Sequence, residues 1–129
     1  SSAKQYGVYN FVGENIYEAA KDDFIFRFLD FVQVKGKNIP VKVYELVSNK
    51  IDINNSTVNL VRNFEKGLDY YYQQDWDKAI SAFENSEKME DHFTSRNTTP
   101  SAVYIERCLM FRDNPPGKDW DGVWTMTSK

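Results

Sequence analysis

The sequence predicts an α+β protein in two parts, a small sheet at residues 1–47 and a set of helices at residues 57–129. In the first part apolar residues alternate with polar ones, which is the period of a β-strand. Beyond a polar stretch at residues 48–56, interpreted as a linker, apolar residues recur every three to four positions, the period of a helix. The chain has 129 residues, of which 16% are aromatic, and this is enough material for a core.

A short strand and a short helix are expected first. The segment "YGVYNFV" (residues 6–12) has the aromatic and β-branched residues typical of a strand. The segment "GENIYEAAKDD" (residues 13–23) then places Ile16, Ala19 and Ala20 on one side of a helix, with charged residues on the other side. We therefore expect one strand followed by one amphipathic helix.

A β-hairpin with a basic tip is expected at residues 26–46. Its first strand lies in "FIFRFLDFVQV" (residues 24–34), which is apolar on both faces for part of its length, although Asp30 interrupts one face. The tip carries Lys35 and Lys37 on either side of a glycine. Such a tip is either a charged turn or a contact for a phosphate group, and the loop alone favours the charged turn.

Three helices are expected in the second part. The first has one apolar face formed by Val61, Phe64, Leu68 and Tyr71. Asp75 can cap the second helix, whose apolar stripe consists of Trp76, Ala79, Ile80 and Phe83. Thr99 followed by Pro100 is an N-cap with proline at the first helical position, and we expect the inner face of this third helix to carry Ala102, Ile105 and Leu109.

Charge and composition exclude several classes of partner. Residues 1–50 carry seven Lys and Arg against six Asp and Glu, and residues 51–129 carry nine against thirteen, so we expect no nucleic-acid partner. No apolar run approaches the length of a membrane span, so we expect no direct membrane contact. A single cysteine, Cys108, suits a reducing compartment, and we expect a cytoplasmic protein. The chain begins with "SSAK" rather than Met, which we interpret as a piece of a longer protein.

A few residues whose side chains could bind a metal ion or act as a nucleophile are interpreted as structural. Asp22 and Asp23 are adjacent carboxylates without a third ligand, which is typical of a solvated turn. His92 lies in a polar loop with no cysteine or carboxylate cluster at metal-ligand spacing. Cys108 falls inside a helix, where a small buried apolar role is expected rather than a nucleophilic one. No catalytic residue and no metal site are predicted.

Four aromatic residues are candidates for binding a protein partner. Tyr70 and Tyr72 flank Tyr71, which fits the inner stripe, so at least one of them is expected to be exposed. Trp120 and Trp124 follow a double proline. They either fold back onto the helices and cap them, which we favour, or anchor a partner, as aromatic residues do in many interfaces.

The helical part partly resembles a tetratricopeptide repeat. The small and aromatic positions of that repeat are matched by Gly67, Tyr70, Ala79 and Phe83. The early tryptophan of the repeat is absent, and Asp91 stands where a proline is usual. Because one such repeat cannot bury its own face, we expect the third helix to serve as its neighbour.

The first part resembles the C-terminal end of the catalytic domain of a class III adenylate or guanylate cyclase. The resemblance lies in "KQYG" (4–7), "IYEAAKDDFIFRFLD" (16–30) and "VKGKNIPVKVYEL" (34–46). Bacterial cyclases of this type often carry a tetratricopeptide-like segment after the catalytic domain, and residues 58–113 with the tail are similar to that arrangement. The resemblance implies that this chain is a C-terminal fragment of such a cyclase. The full-length cyclase is called the parent below.

The resemblance also implies what this chain lacks. Cyclases of the family bind two metal ions, Mg²⁺ or Mn²⁺, through two aspartates, and they stabilise the transition state with an Asn and an Arg before "KQYG"; none of these segments is present. In the family, the lysine at the position of Lys35 contacts the triphosphate. The implied parent is a homodimer that makes a cyclic nucleotide from ATP or GTP, and the remainder of its catalytic domain is the first expected partner.

Two other functions remain open at this point. The chain could be an independent adaptor of the tetratricopeptide type, unrelated to catalysis. Its hairpin would then have no part in the function. It could also be a small enzyme of a type that the sequence does not identify, although no catalytic constellation is visible. The sequence leaves the choice between ATP and GTP, the activating signal and the identity of any partner undetermined.

Overall fold

A computed structural model describes residues 2–34, 36, 38–51, 54–91 and 96–126. The chain has mixed helices and strands, which confirms the predicted α+β class. The elements in chain order are α1 (Ser2–Tyr6), β1 (Phe11–Gly13), α2 (Glu14–Ala20), β2 (Phe24–Val34), β3 (Val41–Asn49), α3 (Asn55–Tyr72), α4 (Trp76–Glu87), α5 (Pro100–Asp113) and β4 (Trp124–Met126).

The chain forms two compact units that differ from the predicted parts at both boundaries. The first unit, the sheet unit, comprises Ser1–Ile53 and Asp121–Lys129, and the second, the helical unit, comprises Asn54–Trp120. The predicted linker at residues 48–56 is shorter than expected, because β3 continues to Asn49 and α3 begins at Asn55. The end of the chain belongs to the sheet unit, whereas the sequence predicted that it belongs with the helices.

The sheet unit is built on four strands in the order β1-β3-β2-β4. β3 pairs antiparallel with β1 and with β2, whereas β4 pairs parallel with β2. The β2–β3 pair is the predicted hairpin, and it extends to Phe24 opposite Asn49 at its open end. The apolar side chains buried in this unit are Tyr6, Val8, Leu29, Val32, Val43, Tyr44 and Met126.

The segment predicted as a strand at residues 6–12 is divided between a helix and a strand. Helix α1 ends at Tyr6, and Gly7 follows with a φ of 69°, a left-handed conformation that costs glycine little. The N–H of Val8 donates to the carbonyl of Ala3 (3.1 Å), which closes the end of the helix. The strand therefore starts only at Phe11, because a glycine helix cap interrupts the β-like pattern.

Helix α2 forms as predicted but does not bury the predicted side. None of its residues is buried, and Ile16 is 52% exposed. Its contact with the sheet is made by Tyr17, which stacks on Tyr44 with ring centroids 4.0 Å apart. One aromatic ring therefore takes the place of the predicted aliphatic stripe.

The first two helices of the helical unit form with the predicted inner faces. Asn54 caps α3 by accepting from the N–H of Thr57 (2.8 Å), and Asp75 caps α4 by accepting from the N–H of Lys78 (3.3 Å). Phe64, Leu68 and Tyr71 are buried on α3, and α4 buries Trp76, Ala79, Ala82, Phe83 and Ser86. The periodicity of the sequence therefore identified both faces.

Helix α5 begins as predicted, but its inner face lies one residue away from the predicted one. Thr99 caps it by accepting from the N–H of Ala102 (3.0 Å). The predicted inner residue Leu109 is 42% exposed, and Ala102 and Ile105 are half-buried. The residues buried on α5 are Pro100, Ser101, Tyr104, Arg107 and Cys108.

Polar side chains connect the end of α4 to the start of α5. Glu90 is 4% exposed and accepts hydrogen bonds from the hydroxyl of Ser101 (2.7 Å) and from Arg96 (3.2 Å). The hydroxyl of Ser101 also lies 2.6 Å from that of Ser86. Because these buried groups have partners, Ser101 can face the interior without the penalty of an unsatisfied hydroxyl.

Candidate functional site

The basic tip of the hairpin lies next to a turn that requires glycine. Gly36 has a φ of 89° and is exposed, and nothing lies within 4 Å of the position that a Cβ would occupy. The conformation therefore disfavours other residues here, although there is space for a side chain. Lys35, the predicted triphosphate contact, and its neighbour Lys37 lie outside the described residues.

A shallow groove on the helical unit is one concave surface that can accept part of a ligand. It has a volume of about 240 Å³ and is lined by Lys66 and Tyr70 of α3 and by Lys78, Ser81, Ala82 and Asn85 of α4. We call it the lysine groove. Both charged residues of its lining are lysines. It includes one predicted partner-binding residue, Tyr70.

The lysine groove follows from the helical period of the sequence. Lys66 and Tyr70 are four residues apart and therefore lie on the same face of α3. The four α4 residues of the groove have spacings of three, four and seven residues from Lys78, which also places them on one face. The groove therefore lies between one line of side chains on each helix.

The two lysines of the groove differ in their surroundings. The Lys78 ammonium lies 5.8 Å from the centre of the Tyr70 ring, and its nearest carboxylate oxygen, on Asp75, is 3.9 Å away. Such a distance between exposed groups contributes little to stability. Lys66 is exposed and has no carboxylate partner among the residues that the structure describes.

Sequence reasoning missed the two lysines of the groove. It marked Tyr70 because of the three consecutive tyrosines, and it did not single out Lys66 or Lys78. The spacing of Lys66 and Tyr70 was a usable signal. Whether Lys66 and Tyr70 lie beside Lys78 depends on how α3 and α4 cross, and no local sequence pattern predicts that crossing.

The candidates Tyr72 and Trp120 belong to an aromatic cluster that also contains Tyr71, Trp76 and Phe111. Tyr71 is fully buried at its centre, with ring centroids 5.2 Å from Trp120 and 5.7 Å from Trp76. Tyr72 is 36% exposed, as expected for a neighbour of the inner stripe. The tail is held in place by the side-chain amide of Gln74, which donates to the carbonyl of Gly117 (2.7 Å).

Trp120 and Trp124 belong to different units of the chain. Trp120 is half-buried against the helices, as predicted. Trp124 begins β4 and pairs with Val32 of β2 in the sheet unit, and its packing against the helices stays a prediction. The assignment of Trp124 to a strand was not visible in the sequence, because β4 has three residues and its partner strand lies about ninety residues earlier.

Two buried polar pairs in the sheet unit were also missed. Arg27 is 2% exposed, and its guanidinium contacts a carboxylate oxygen of Glu45 at 2.6 and 2.9 Å. The hydroxyl of Tyr6 donates to the carboxylate of Asp30, which is fully buried. Arg27 and Glu45 are register partners in the hairpin, so the first pair could have been found from the strand pairing.

The remaining reactive residues do not assemble into a site. Cys108 is fully buried, and burial raises the pKa of its thiol to about 12, so the reactive thiolate is suppressed at neutral pH. Asp22 and Asp23 are exposed in the turn before β2. His92 lies outside the described residues.

Within the described residues, no group of three or more His, Cys, Asp or Glu side chains could hold a metal ion. The cyclase metals implied by the resemblance therefore have no fitting ligand set in this part of the chain. No helix in the ranges that the structure covers is both long and apolar enough to cross a membrane. The lysine groove can bind an anionic group by charge and hydrogen bonding, and no covalent chemistry is indicated for it.

Comparison with known proteins gives one informative similarity. No family model matches the chain, and no solved structure matches it. The chain is 28% identical over 89 residues to the terminal-differentiation specific adenylate cyclase of Dictyostelium discoideum. The match covers 68% of this chain and 4% of that cyclase.

The length of the match shows which elements it includes. A stretch covering 68% of 129 residues includes residues 42–88 wherever it begins. It therefore contains most of β3 and all of α3 and α4, so it is confined neither to the sheet unit nor to the helical unit. The chain is thus similar to a segment of an adenylate cyclase in which counterparts of both units follow one another.

Proposed function

We propose that this chain is a noncatalytic, regulatory and protein-binding segment from the C-terminal part of a cyclase-like signalling protein. The parent would convert a nucleoside triphosphate, ATP or GTP, into a cyclic nucleotide. The observation that carries the proposal is the similarity to an adenylate cyclase, which extends from the hairpin into the helical unit. A match confined to the helices would have favoured a general helical adaptor instead.

In this proposal the sheet unit contributes one side of a catalytic domain completed by the rest of the parent. The hairpin would present Lys35 to the triphosphate, where an ammonium acts as a point charge. Metal neutralisation and positioning account for most of the catalysis of phosphoryl transfer, and the metal ligands would come from parts of the parent outside this chain. The buried pairs Arg27–Glu45 and Tyr6–Asp30 would keep the hairpin rigid.

The helical unit would provide a surface for another protein. Its tetratricopeptide-like character is supported by Gly67, where an added Cβ would lie 2.6 Å from the ring of Phe83. Glycine therefore permits the close approach of α3 and α4, which is the role of the small residue in that repeat. The same observation favours the second candidate function, an independent protein-binding adaptor.

Several finer features of the proposal come from the sequence resemblance. These are a homodimeric parent and Mg²⁺ or Mn²⁺ as its metals, whereas the proposed cytoplasmic location comes from the single cysteine. Bacterial origin stays a prediction. The similarity to a cyclase of Dictyostelium discoideum supports the relationship to cyclases without bearing on the source of this chain.

The proposal is tested in the full-length protein that contains this chain. Purified protein is incubated with ATP and Mn²⁺, and the formation of cyclic AMP is measured for the wild type, for Lys35→Ala and for Lys42→Ala. Lys42 is an exposed lysine on β3 and serves as the control for loss of one positive charge. We expect Lys35→Ala to lower catalytic efficiency roughly tenfold or more, because a charge-assisted hydrogen bond is worth on the order of 1.5–3 kcal/mol.

Lys42→Ala should retain nearly wild-type efficiency. Equal activity of both variants and the wild type would remove Lys35 from the site. A full-length protein that forms no cyclic nucleotide from ATP or GTP, although it is folded, would contradict the cyclase proposal and favour the adaptor.

A further inference from the structure

We propose that the lysine groove is a docking site for an acidic peptide segment of a partner protein, whose carboxylates lie against Lys66 and Lys78. This inference deepens the proposed protein-binding role of the helical unit by naming the chemistry of the partner. It does not depend on the cyclase relationship, because the groove belongs entirely to α3 and α4.

The charge of the groove is opposite to that of the unit that carries it. Residues 54–120 contain eight Lys and Arg against eleven Asp and Glu, so the helical unit is acidic as a whole. The lining of the groove nevertheless contains two lysines and no carboxylate. A local positive surface on an acidic unit attracts an acidic segment to one place, and the acidic surroundings repel that segment elsewhere.

Among the residues that the structure describes, neither lysine has a close ion-pair partner. Lys78 is 68% exposed in its side chain and reaches Asp75 only at 3.9 Å. By contrast, Arg112 on α5 contacts a carboxylate oxygen of Asp77 at 2.8 Å. The groove lysines can therefore contact a ligand carboxylate without first breaking a close ion pair.

The other lining residues suit a peptide. Tyr70 is half-buried and adds a ring with a hydroxyl, Ser81 and Asn85 add hydroxyl and amide donors, and Ala82 provides a small apolar floor. Pockets that enclose small molecules usually have volumes of about 300–1,000 Å³. An open groove of about 240 Å³ has room for one or two side chains of a segment lying across it.

Binding is tested with the chain itself and a short fluorescein-labelled peptide rich in Glu and Asp, followed by fluorescence anisotropy. The matched peptide has Gln and Asn at the same positions. Inorganic phosphate is added as a competitor to distinguish a peptide site from a general anion site. We expect saturable binding of the acidic peptide, at least about tenfold weaker binding of the amide peptide, and no displacement by millimolar phosphate.

The location is tested with two double variants that remove the same charge. Lys66→Gln with Lys78→Gln changes the groove, whereas Lys88→Gln with Lys118→Gln removes two exposed lysines of the same unit that do not line it. We expect the first pair to weaken binding roughly tenfold or more and the second pair to weaken it less than about threefold. Melting temperatures establish that the variants remain folded.

A second measurement on the wild type avoids any effect of substitution on folding. Backbone amide shifts in a titration with the acidic peptide should move at residues 66–70 and 78–85. Equal weakening by both lysine pairs, equal binding of the acidic and amide peptides, displacement by phosphate, or shifts at other helices would overturn the proposal. These outcomes are independent of whether the full-length protein makes a cyclic nucleotide.

Discussion

At the scale of single residues, close contacts between rings determine where the helical unit tolerates a side chain. Phe83 stacks on Tyr104 with ring centroids 5.1 Å apart and meets Phe64 at 5.4 Å. The backbone of Gly67 approaches the same ring so closely that a Cβ would collide with it. The requirement for glycine at this position of the tetratricopeptide-like pattern is therefore steric in this chain.

Cys108 leads to a prediction about alkaline pH. Its pKa in the folded protein is about 12, mainly because of burial, against roughly 8.5 in an unfolded chain. Between these values the unfolded chain releases the thiol proton and the folded chain keeps it, so the free energy of unfolding falls as pH rises above about 8.5. Below that pH the contribution of the thiol is fully present.

The effect is measured by comparing the wild type with Cys108→Ala in urea unfolding at several pH values from about 8 to 10, followed by far-ultraviolet circular dichroism. The two stability curves should diverge above about pH 8.5, with the wild type losing up to about 1.4 kcal/mol more per pH unit. Titration of other groups affects both proteins alike. Parallel curves over this range would contradict the assignment of a strongly raised pKa.

At the scale of elements, the buried face of a helix could be predicted where apolar residues recur with strong periodicity. It could not be predicted where polar and apolar residues are mixed. The stripes of α3 and α4 were predicted because their apolar residues recur at helical spacing on one side. On α5 the stripe of Ala102, Ile105 and Leu109 was misleading, since Ser101 and Tyr104 face the interior instead. The hydrogen bonds of Ser101 with Glu90 and Ser86 compensate for its burial, and such long-range partners cannot be identified from α5 alone.

The tail provides a prediction that separates its two tryptophans. Trp120 contacts the rings of Tyr71, Tyr72, Trp76 and Phe111, whereas Trp124 belongs to β4. Trp120→Ala should therefore speed amide hydrogen exchange in α3 and α5, with a loss of roughly 2–3 kcal/mol, less than for a fully buried tryptophan. Trp124→Ala should affect the amides of β2 near Val32 instead.

Each variant is the control for the other, and hydrogen exchange measured by NMR resolves the two regions. Unchanged protection of α3 and α5 in Trp120→Ala would contradict its packing role. Trp120 would then be available as a partner anchor, which is the alternative that the sequence left open.

At the scale of the whole molecule, the sequence predicted the α+β class and the order of a hairpin followed by three helices. It did not predict that β4 adds the end of the chain to the sheet, because a three-residue parallel strand has no local signature. The candidate site was predicted only through Tyr70, since four of the five other residues that line the groove lie on another helix. The local sequence pattern therefore predicted the helices and strands. The groove and the four-stranded sheet depend on how helices cross and strands pair, which the local pattern does not specify.

The central proposal is that this chain is part of a cyclase-related protein and takes part in cyclisation only together with the rest of that protein. Its similarity to an adenylate cyclase covers 4% of that enzyme.

The most direct test incubates the purified chain, prepared from a host that lacks its own cyclase, with ATP or GTP and Mn²⁺, beside the full-length protein. The products are quantified by mass spectrometry. The account predicts cyclic nucleotide from the full-length protein and none above a buffer blank from the chain. Turnover by the isolated chain, abolished by substitutions within it, would contradict the account and make the chain an enzyme in its own right.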